Sequence, residues 1–458
     1  MVQQSRQPGS TIKPLVYAFG FMNLPLSIDT PIYDIAFKVG NDTPNDNDGL
    51  FEGILPLRKA LGHSRNIPAI KMYFAVGGQD KLIPYLNKIG INSYDSKKDY
   101  GYPLSIGAGE LKMMELANGY MQLSSINGAP AKINPILQVT GPDGNILYDK
   151  AQEQEKLQQK IIPGGVAYLM RKILTTEENL PGSWIANFRV GGLLYANKSG
   201  TTDMKDPKTG KKLPRDGWLV GYTPSKVAVF WAGNTQGNPM NVNAYGGRVN
   251  GKTFRQFFSN LLKQGLIQTE NVSPIEVKDV AVSKITGKLA TETTPADQKV
   301  SSISYISTAP NEMDGALTPI QIDSACMGKI SDVTPQAEII NGYLFKPTSF
   351  MPNNMDLDDI NNRRREKAGM GTGSAATGDV SIPIGNLFLE EPTKTCENRP
   401  ALGAQDDSIV ITLKQPHDNG KIAQTFSVRY DISAAAPISK IRVMLDNVDL
   451  GDFAHAGA

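Results

Sequence analysis

Apolar residues recur three or four apart through LRKALGHSRNIPAIKMYFA (57–75), with Gly62 and Pro68 interrupting, and this spacing predicts two short helices around a break. The same spacing joins Met113, Leu116, Tyr120 and Leu123 in MMELANGYMQL, which predicts one packed helix. Two later runs, GWLVGYTP (217–224) and KVAVFWAGN (226–234), have the density of β-branched and aromatic residues that strands favour. Near the C-terminal end, SIVITLKQP, QTFSVRYDIS and ISKIRVMLDNVDL alternate apolar and polar residues between Asp-Asn-Gly and Ala-Pro turn signals. These strands predict part of an immunoglobulin-like β-sandwich over 381–458, a module that ordinarily needs about seven strands and near 100 residues. Before it, NNMDLDDINNRRREKAGMGTGSAATGD reads as a linker over 356–380, and residues 266–355 as an irregular extension of what precedes them.

No stretch of about 18 apolar residues and no signal peptide occurs. A formal charge of +2 over 458 residues argues against a nucleic-acid surface, and the charged runs are small and mixed in sign, as solvated loops are. One of them, DMKDPKTGKKLPRD, is expected to be the hairpin connection beside the third motif described below.

The candidate chemistry begins at Arg6-Gln-Pro-Gly-Ser-Thr-Ile-Lys-Pro14. Pro8 and Gly9 are turn residues and Ser10 is a favoured helix cap, so Lys13, three residues on, shares its face. A serine hydroxyl is a poor nucleophile until a base takes its proton, and a lysine serves if burial or nearby positive charge lowers its pKa. The helix start adds N–H groups and a dipole that favour an oxyanion. Such a pair also arises by chance. Two further elements alter the reading: Ser64-Arg65-Asn66 at the helical break, and Lys198-Ser-Gly-Thr-Thr202 before the two strand-like runs. Each alone could be a helix cap or an edge strand. In this order and with these flanks, chance is a poor account.

RQPGSTIKPLVYAF, LPLRKALGHSRNIPAIKM, LSIGAGELKMMELANGYMQLSSINGAPAKINPILQV, AYLMRKIL and NKSGTTDM with DGWLVGYTPSKVAVFWAGN together resemble the transpeptidase domain of the class A penicillin-binding proteins, over roughly residues 1–265. The resemblance implies an α/β (α+β) penicillin-binding/β-lactamase-like fold, an antiparallel sheet flanked by helices. It implies a D,D-transpeptidase that cross-links peptidoglycan stem peptides ending in D-Ala-D-Ala on the outer face of the bacterial membrane, with β-lactams acylating the same serine. Ser10 would be the nucleophile, Lys13 its base, and Ser64 with Lys198 the proton relay to the leaving amine, the Lys198 charge also lowering the Lys13 pKa. The backbone N–H groups of Ser10 and Thr201 would form the oxyanion hole. Asn66, Ser199, Gly200, Thr201 and Thr202 would bind substrate, with Lys198 and the two threonine hydroxyls on its terminal carboxylate. No cofactor is implied, and partners would be proteins of wall elongation or division.

The rival chemistry is a serine β-lactamase or a D,D-carboxypeptidase. The only string resembling a deacylating ExxLN element is Glu115-Leu-Ala-Asn118, which lacks its spacing and lies on the packed helix. His63, His417 and His455 show no metal-site spacing and no catalytic triad, and His63 is read as a helix-surface residue. A non-catalytic wall-binding scaffold is the third reading. It rests on the front of the chain, where only nine residues precede Ser10. The first two strands of the resembled sheet, the membrane segment and the glycosyltransferase domain are therefore expected to be missing, with Met1-Val-Gln-Gln an internal start. KVAVFWAGN would then present an open edge, and the chain would fold poorly or aggregate unless a partner or a longer natural chain supplied the strands. Cys326 and Cys396 are equally compatible with a disulfide and with two separate buried thiols.

Overall fold

The computed structural model describes residues 2–130, 133, 135–152, 159–346, 348, 355–360, 387–388, 390–396 and four strands between 410 and 453. They divide into two compact units: the first runs to Thr318 and takes in the described residues of 345–360, and the second comprises Pro319–Leu344 and the described residues beyond 386.

The first unit is built on helices α1 (Lys13–Asn23), α2 (Leu57–Gly62), α3 (Asn66–Ala75), α4 (Gln79–Lys88), α5 (Met113–Ser124), α6 (Gly164–Thr175), α7 (Gly182–Phe188) and α8 (Gly246–Lys263). A short hairpin, β1 (Pro31–Asp34) with β2 (Gly53–Pro56), precedes α2. The central sheet is antiparallel, in the order β3 (Ala196–Lys205), β4 (Lys212–Tyr222), β5 (Val227–Gly233). Lys198 stands opposite Val220, Gly200 opposite Trp218, and Trp218 opposite Trp231.

Strand alternation explains why GWLVGY is apolar throughout. Trp218, Val220 and Tyr222 enter the large core made by α1 to α6, while Leu219 between them enters a second core with Phe188, Tyr195, Phe254 and Phe258. The sheet is thus covered on both faces, as expected for a sheet flanked by helices. Gly221 is required by α8, because a Cβ there would lie 2.4 Å from the Phe254 ring. Val227, Val229 and Trp231 of β5 are half-buried against the large core, and the outer edge of β5 pairs with no strand among the described residues.

The described residues of 266–355, expected to be irregular, are built from regular strands. They contain one motif twice, a long strand, a tight turn, a 3-10 turn and a returning strand: β6 (Val277–Ser283) with β7 (Lys299–Tyr305), and β8 (Leu317–Asp323) with β9 (Gly328–Lys329) and β10 (Ile339–Phe345). Corresponding positions include Val282 and Ile322, Thr294 and Thr334, Pro295 and Pro335. The left-handed turn position is Gly287 in one copy, φ +74°, and Met327 in the other, φ +55°. In the first copy Thr286 donates to Asp314 at 3.0 Å, tying the turn to the segment that follows. In the second, Cys326 at the equivalent place is joined to Cys396 by a disulfide, Cα–Cα 5.6 Å. The pairing left open by the sequence is therefore made, within the second unit.

Residues 356–360, expected to open a linker, are packed into the first unit instead. Asp356 is buried and paired with the fully buried Lys71 of α3, and Ile360 packs on Tyr33 and Ile35. The remainder of that expected linker, 361–380, lies outside the described residues. So does most of the expected immunoglobulin-like module, whose described strands form two antiparallel pairs, 410–415 with 429–433 and 441–445 with 448–453. No helix among the described residues is long and apolar enough to cross a membrane.

Candidate active site

Ser10 lies in a 3-10 turn, Gly9–Ile12, that runs directly into α1. Its expected place as a helix cap is taken by Pro8, and Pro14 falls in the first turn of α1, where its missing N–H costs no helical bond. The turn is fixed by its carbonyls: Trp218 Nε1 donates to Gln7 O at 2.8 Å, Thr11 Oγ1 to Pro8 O at 2.7 Å and Tyr120 Oη to Thr11 O at 2.7 Å. Backbone closes on it from two sides. A Cβ on Gly200 would lie 2.4 Å from Pro8 O, one on Gly9 2.7 Å from Thr201 O, and one on Gly107 2.2 Å from Gly9 O. These glycines let β3 and the loop at 107 press against the serine. Ser10 is 8% exposed, and its hydroxyl has no hydrogen-bond partner among the described residues.

Lys13 projects from α1 into the same site, fully buried. Its Nζ donates to Ser64 O at 2.5 Å and to Asn66 Oδ1 at 2.7 Å. Lys198 Nζ reaches the other side of Ser64, donating to Oγ at 2.6 Å and to Ser199 O at 3.0 Å. Ser64 has φ +60°, a left-handed conformation that costs a non-glycine residue about 1–2 kcal/mol. Bonds to its amide, carbonyl and hydroxyl from three directions hold it there. Ser10, Lys13, Ser64, Asn66 and Lys198, from stretches far apart in the chain, thus line one site.

Burial lowers the Lys13 pKa from the ordinary lysine value to about 7, against the nearby Asp46 charge. The positive neighbour that assists this is Arg65, where Lys198 was expected to act. For Lys198 itself, burial and then the Lys13 charge hold the pKa well below the usual lysine range.

Along β3, Lys198, Gly200 and Thr202 share one face and Ser199 and Thr201 the other. Thr201 Oγ1 accepts the Gly246 N–H at 2.9 Å. The Thr202 hydroxyl, expected on a substrate carboxylate, is committed elsewhere. It is buried, donates to Asp216 Oδ2 at 2.9 Å and accepts the Asp216 N–H at 3.2 Å. Asp216 is fully buried and also takes Trp231 Nε1 at 3.0 Å, with Arg6 and Arg215 beside it at 3.9 and 3.5 Å. Thr202 is therefore part of the anchor that fixes the end of β3. Ser199 is half-buried, and its carbonyl accepts from Lys198.

Glu115 serves its own helix: its carboxylate accepts Ser93 Oγ at 2.5 Å and the Lys112 N–H at 3.2 Å. His63 ends α2 and bonds Glu52 at 2.8 Å, as a helix-surface residue does. No cluster of metal-ligating side chains occurs among the described residues.

Sequence reasoning passed over the support of the second motif. Arg65, 6% exposed, donates through Nε to Asp34 Oδ2 at 2.8 Å, through Nη1 to Asp48 Oδ2 at 2.9 Å and through Nη2 to Leu50 O. Asp46 accepts the Asn66 N–H, and Asn66 Nδ2 donates to Asn45 O at 3.0 Å. The loop NDTPNDNDG thus wraps the motif. Its density of Asn and Asp beside Pro and Gly is the one signal it carries, and that signal marks a turn-rich loop in general.

The family described as the penicillin-binding protein transpeptidase domain matches residues 1–259. The chain is similar to penicillin-binding protein 1A/1B of Bacillus subtilis, 27% identical over 320 residues, covering 68% of this chain and 34% of that protein. It is similar to penicillin-binding protein 1A of Pseudomonas aeruginosa, 25% identical over 342 residues, covering 64% and 40%. The chain therefore spans well under half the length of these curated relatives. Among solved structures, penicillin-binding protein 1A from Haemophilus influenzae superposes with a TM-score of 0.53 at 19% identity, over 68% of this chain and 50% of that one. The penicillin-binding protein PonA1 from Mycobacterium tuberculosis does so with a TM-score of 0.53 at 20% identity, over 64% and 76%. At these identities the structures speak for the fold.

Proposed function

This chain belongs to the penicillin-binding protein transpeptidase family, and on that premise we propose that it is a serine D,D-transpeptidase of peptidoglycan, working outside the cytoplasmic membrane on stem peptides ending in D-Ala-D-Ala. The observation that carries the reading is the bridge from Lys13 through Ser64 to Lys198, beside Ser10.

A neutral amine has two hydrogens and one lone pair. Lys13 spends two donors on Ser64 O and Asn66 Oδ1, so once uncharged it keeps its lone pair for the proton of Ser10 Oγ. Ser10 then attacks the carbonyl between the two D-alanines. The charge forming on the carbonyl oxygen falls to the N–H groups of Ser10 and Thr201, and the close approach of Gly9 to Thr201 supports that pairing. Because Lys198 donates to Ser64 Oγ, the Ser64 hydroxyl hydrogen is free to pass to the departing amine, and protonated Lys198 gives a proton to Ser64 Oγ in its place. Asn66, whose Oδ1 is held by Lys13, offers its amide to the substrate backbone. Ser199, with Lys198 and Thr201, meets the terminal carboxylate, and Gly200 leaves room for the strand to lie against the serine. The acyl-enzyme is then resolved by an amine of a second stem peptide. β-Lactams, which present a strained amide and a carboxylate in the same places, would acylate Ser10.

Fluorescent penicillin tests this. We expect a stable covalent label that Ser10→Ala abolishes and Lys198→Ala strongly reduces. No label on the folded protein would overturn the reading, and rapid loss of label with drug turnover would replace it with β-lactam hydrolysis.

A further inference from the structure

Three buried oxygens beside Lys13 have no hydrogen-bond partner among the described residues: Asp34 Oδ1, Asp46 Oδ2 and Tyr17 Oη. Asp34 is fully buried, Asp46 is 5% exposed and Tyr17, one turn after Lys13 on α1, is fully buried. A buried carboxylate oxygen without a hydrogen bond is costly, and two in one place call for an explanation.

Charge sharpens the problem. Four carboxylates face the single guanidinium of Arg65: Asp34, Asp46, Asp48 and Glu52. Its best-formed bonds go to Asp34, Asp48 and Leu50 O, leaving Asp46 an ion-pair contact of 3.4 Å. Asp34 is the better held, because its Oδ2 takes both Arg65 Nε and the Glu52 N–H at 2.9 Å. Asp46 stands within hydrogen-bonding reach of Asp34. Two like charges that close, away from water, do not both persist.

We propose that Asp46 is held as a neutral acid whose proton is shared with Asp34 Oδ1, and that this shared proton, by removing one negative charge next to Lys13, lets Lys13 stand unprotonated as the base. The same carboxyl group still accepts the Asn66 N–H through its other oxygen, so one side chain positions Asn66 and sets the charge beside Lys13. Burial, and then the neighbouring Asp34, raises the Asp46 pKa to about 7, which agrees with the geometry. The groups facing the pair are Lys13 and Tyr17 from α1, Arg65 from the turn before α3, Lys71 from α3, and Asp48 and Glu52 from the loop. Asp46 is a positioning residue in this account. Its effect on Lys13 rests on the transpeptidase reading, whereas the shared proton does not.

Asp46→Asn imitates the neutral acid: its amide donates to Asp34 and its oxygen accepts from Asn66. Asp46→Ala supplies neither bond. A carboxyl whose folded pKa is raised loses stability for the wild type as pH climbs from about 4 through about 7, and asparagine does not titrate. The melting temperature of Asp46→Asn minus that of the wild type should therefore rise by several degrees between about pH 5 and about pH 8. A flat difference overturns the shared proton, whether or not the protein reacts with penicillin. In acylation by fluorescent penicillin, Asp46→Asn should match the wild type on the acid limb below about pH 6, where Asp46 is already neutral, and react roughly threefold faster between about pH 7 and about pH 8, where the wild-type carboxylate forms and holds Lys13 charged. An acid limb moved to lower pH, the mark of a wild-type Asp46 already charged there, or an Asp46→Asn variant as impaired as Asp46→Ala at every pH, overturns the effect on Lys13. A wild type that takes no penicillin while the melting difference behaves as stated would sink the transpeptidase reading alone.

Discussion

Lys13 is the residue on which reactivity turns, and its burial decides its charge. With its pKa brought down to about 7, the free amine gains population as pH rises through that value. Acylation of Ser10 should accordingly climb from about pH 6 to about pH 8, which stopped-flow labelling with a fluorescent penicillin can follow. Replacing Lys13 with Ala should slow acylation roughly 10²–10⁴-fold, the range of a positioned general base. Ser10 and Lys13 were legible as candidates because helix geometry turns a spacing of three into a shared face, and Ser64 and Asn66 because they stand at the break marked by Gly62 and Pro68. Asp34 and Asp46 were not. Both reach the site through contacts with Arg65 and Asn66, residues well downstream, and no periodicity reports a contact of that kind. Thr202 was misread for a related reason: a β-branched hydroxyl next to a motif looks available until its buried partner, Asp216, is seen.

At the scale of elements, the site depends on β3 lying against the turn that carries Ser10. Gly200→Ala would set a Cβ 2.4 Å from Pro8 O, a backbone atom that cannot swing aside. The variant should fold, since β3 keeps its ladder with β4, but lose at least about tenfold in penicillin acylation, as a misplacement of about 1 Å can cost 10²-fold. Circular dichroism separates this outcome from unfolding. The strands GWLVGYTP and KVAVFWAGN were readable from composition, and burial on both faces explains why GWLVGYTP lacks polar alternation. The clamp of Asp356 on Lys71 was not readable, because it joins a helix to a segment some way beyond the sheet. Asp356→Ala leaves a lysine charge buried and should cost about 3–5 kcal/mol in urea unfolding.

For the molecule as a whole, two compact units carry two copies of one β motif, one closed by a Thr286–Asp314 hydrogen bond and the other by the Cys326–Cys396 disulfide. The repeat hides in sequence because its copies share turn and core positions but few identities, with Met327 standing where Gly287 supplies the left-handed turn. The disulfide spans a sequence separation of 70 residues, and cross-linking of that length stabilises by roughly 4 kcal/mol in the chain-entropy account. Cys326→Ser with Cys396→Ser should therefore lower the melting temperature of the second unit while penicillin labelling of the first persists. Differential scanning calorimetry paired with gel fluorescence reads both. The family assignment rests on the first unit, where the match to residues 1–259 ends before the repeats begin.

The most direct measurement is mass spectrometry of the protein after brief exposure to a penicillin, followed by proteolysis to place the adduct. One slowly released acyl group should sit on the peptide bearing Ser10, and none should form in Ser10→Ala. An adduct elsewhere, an equal adduct in Ser10→Ala, or no adduct on folded protein would contradict the account.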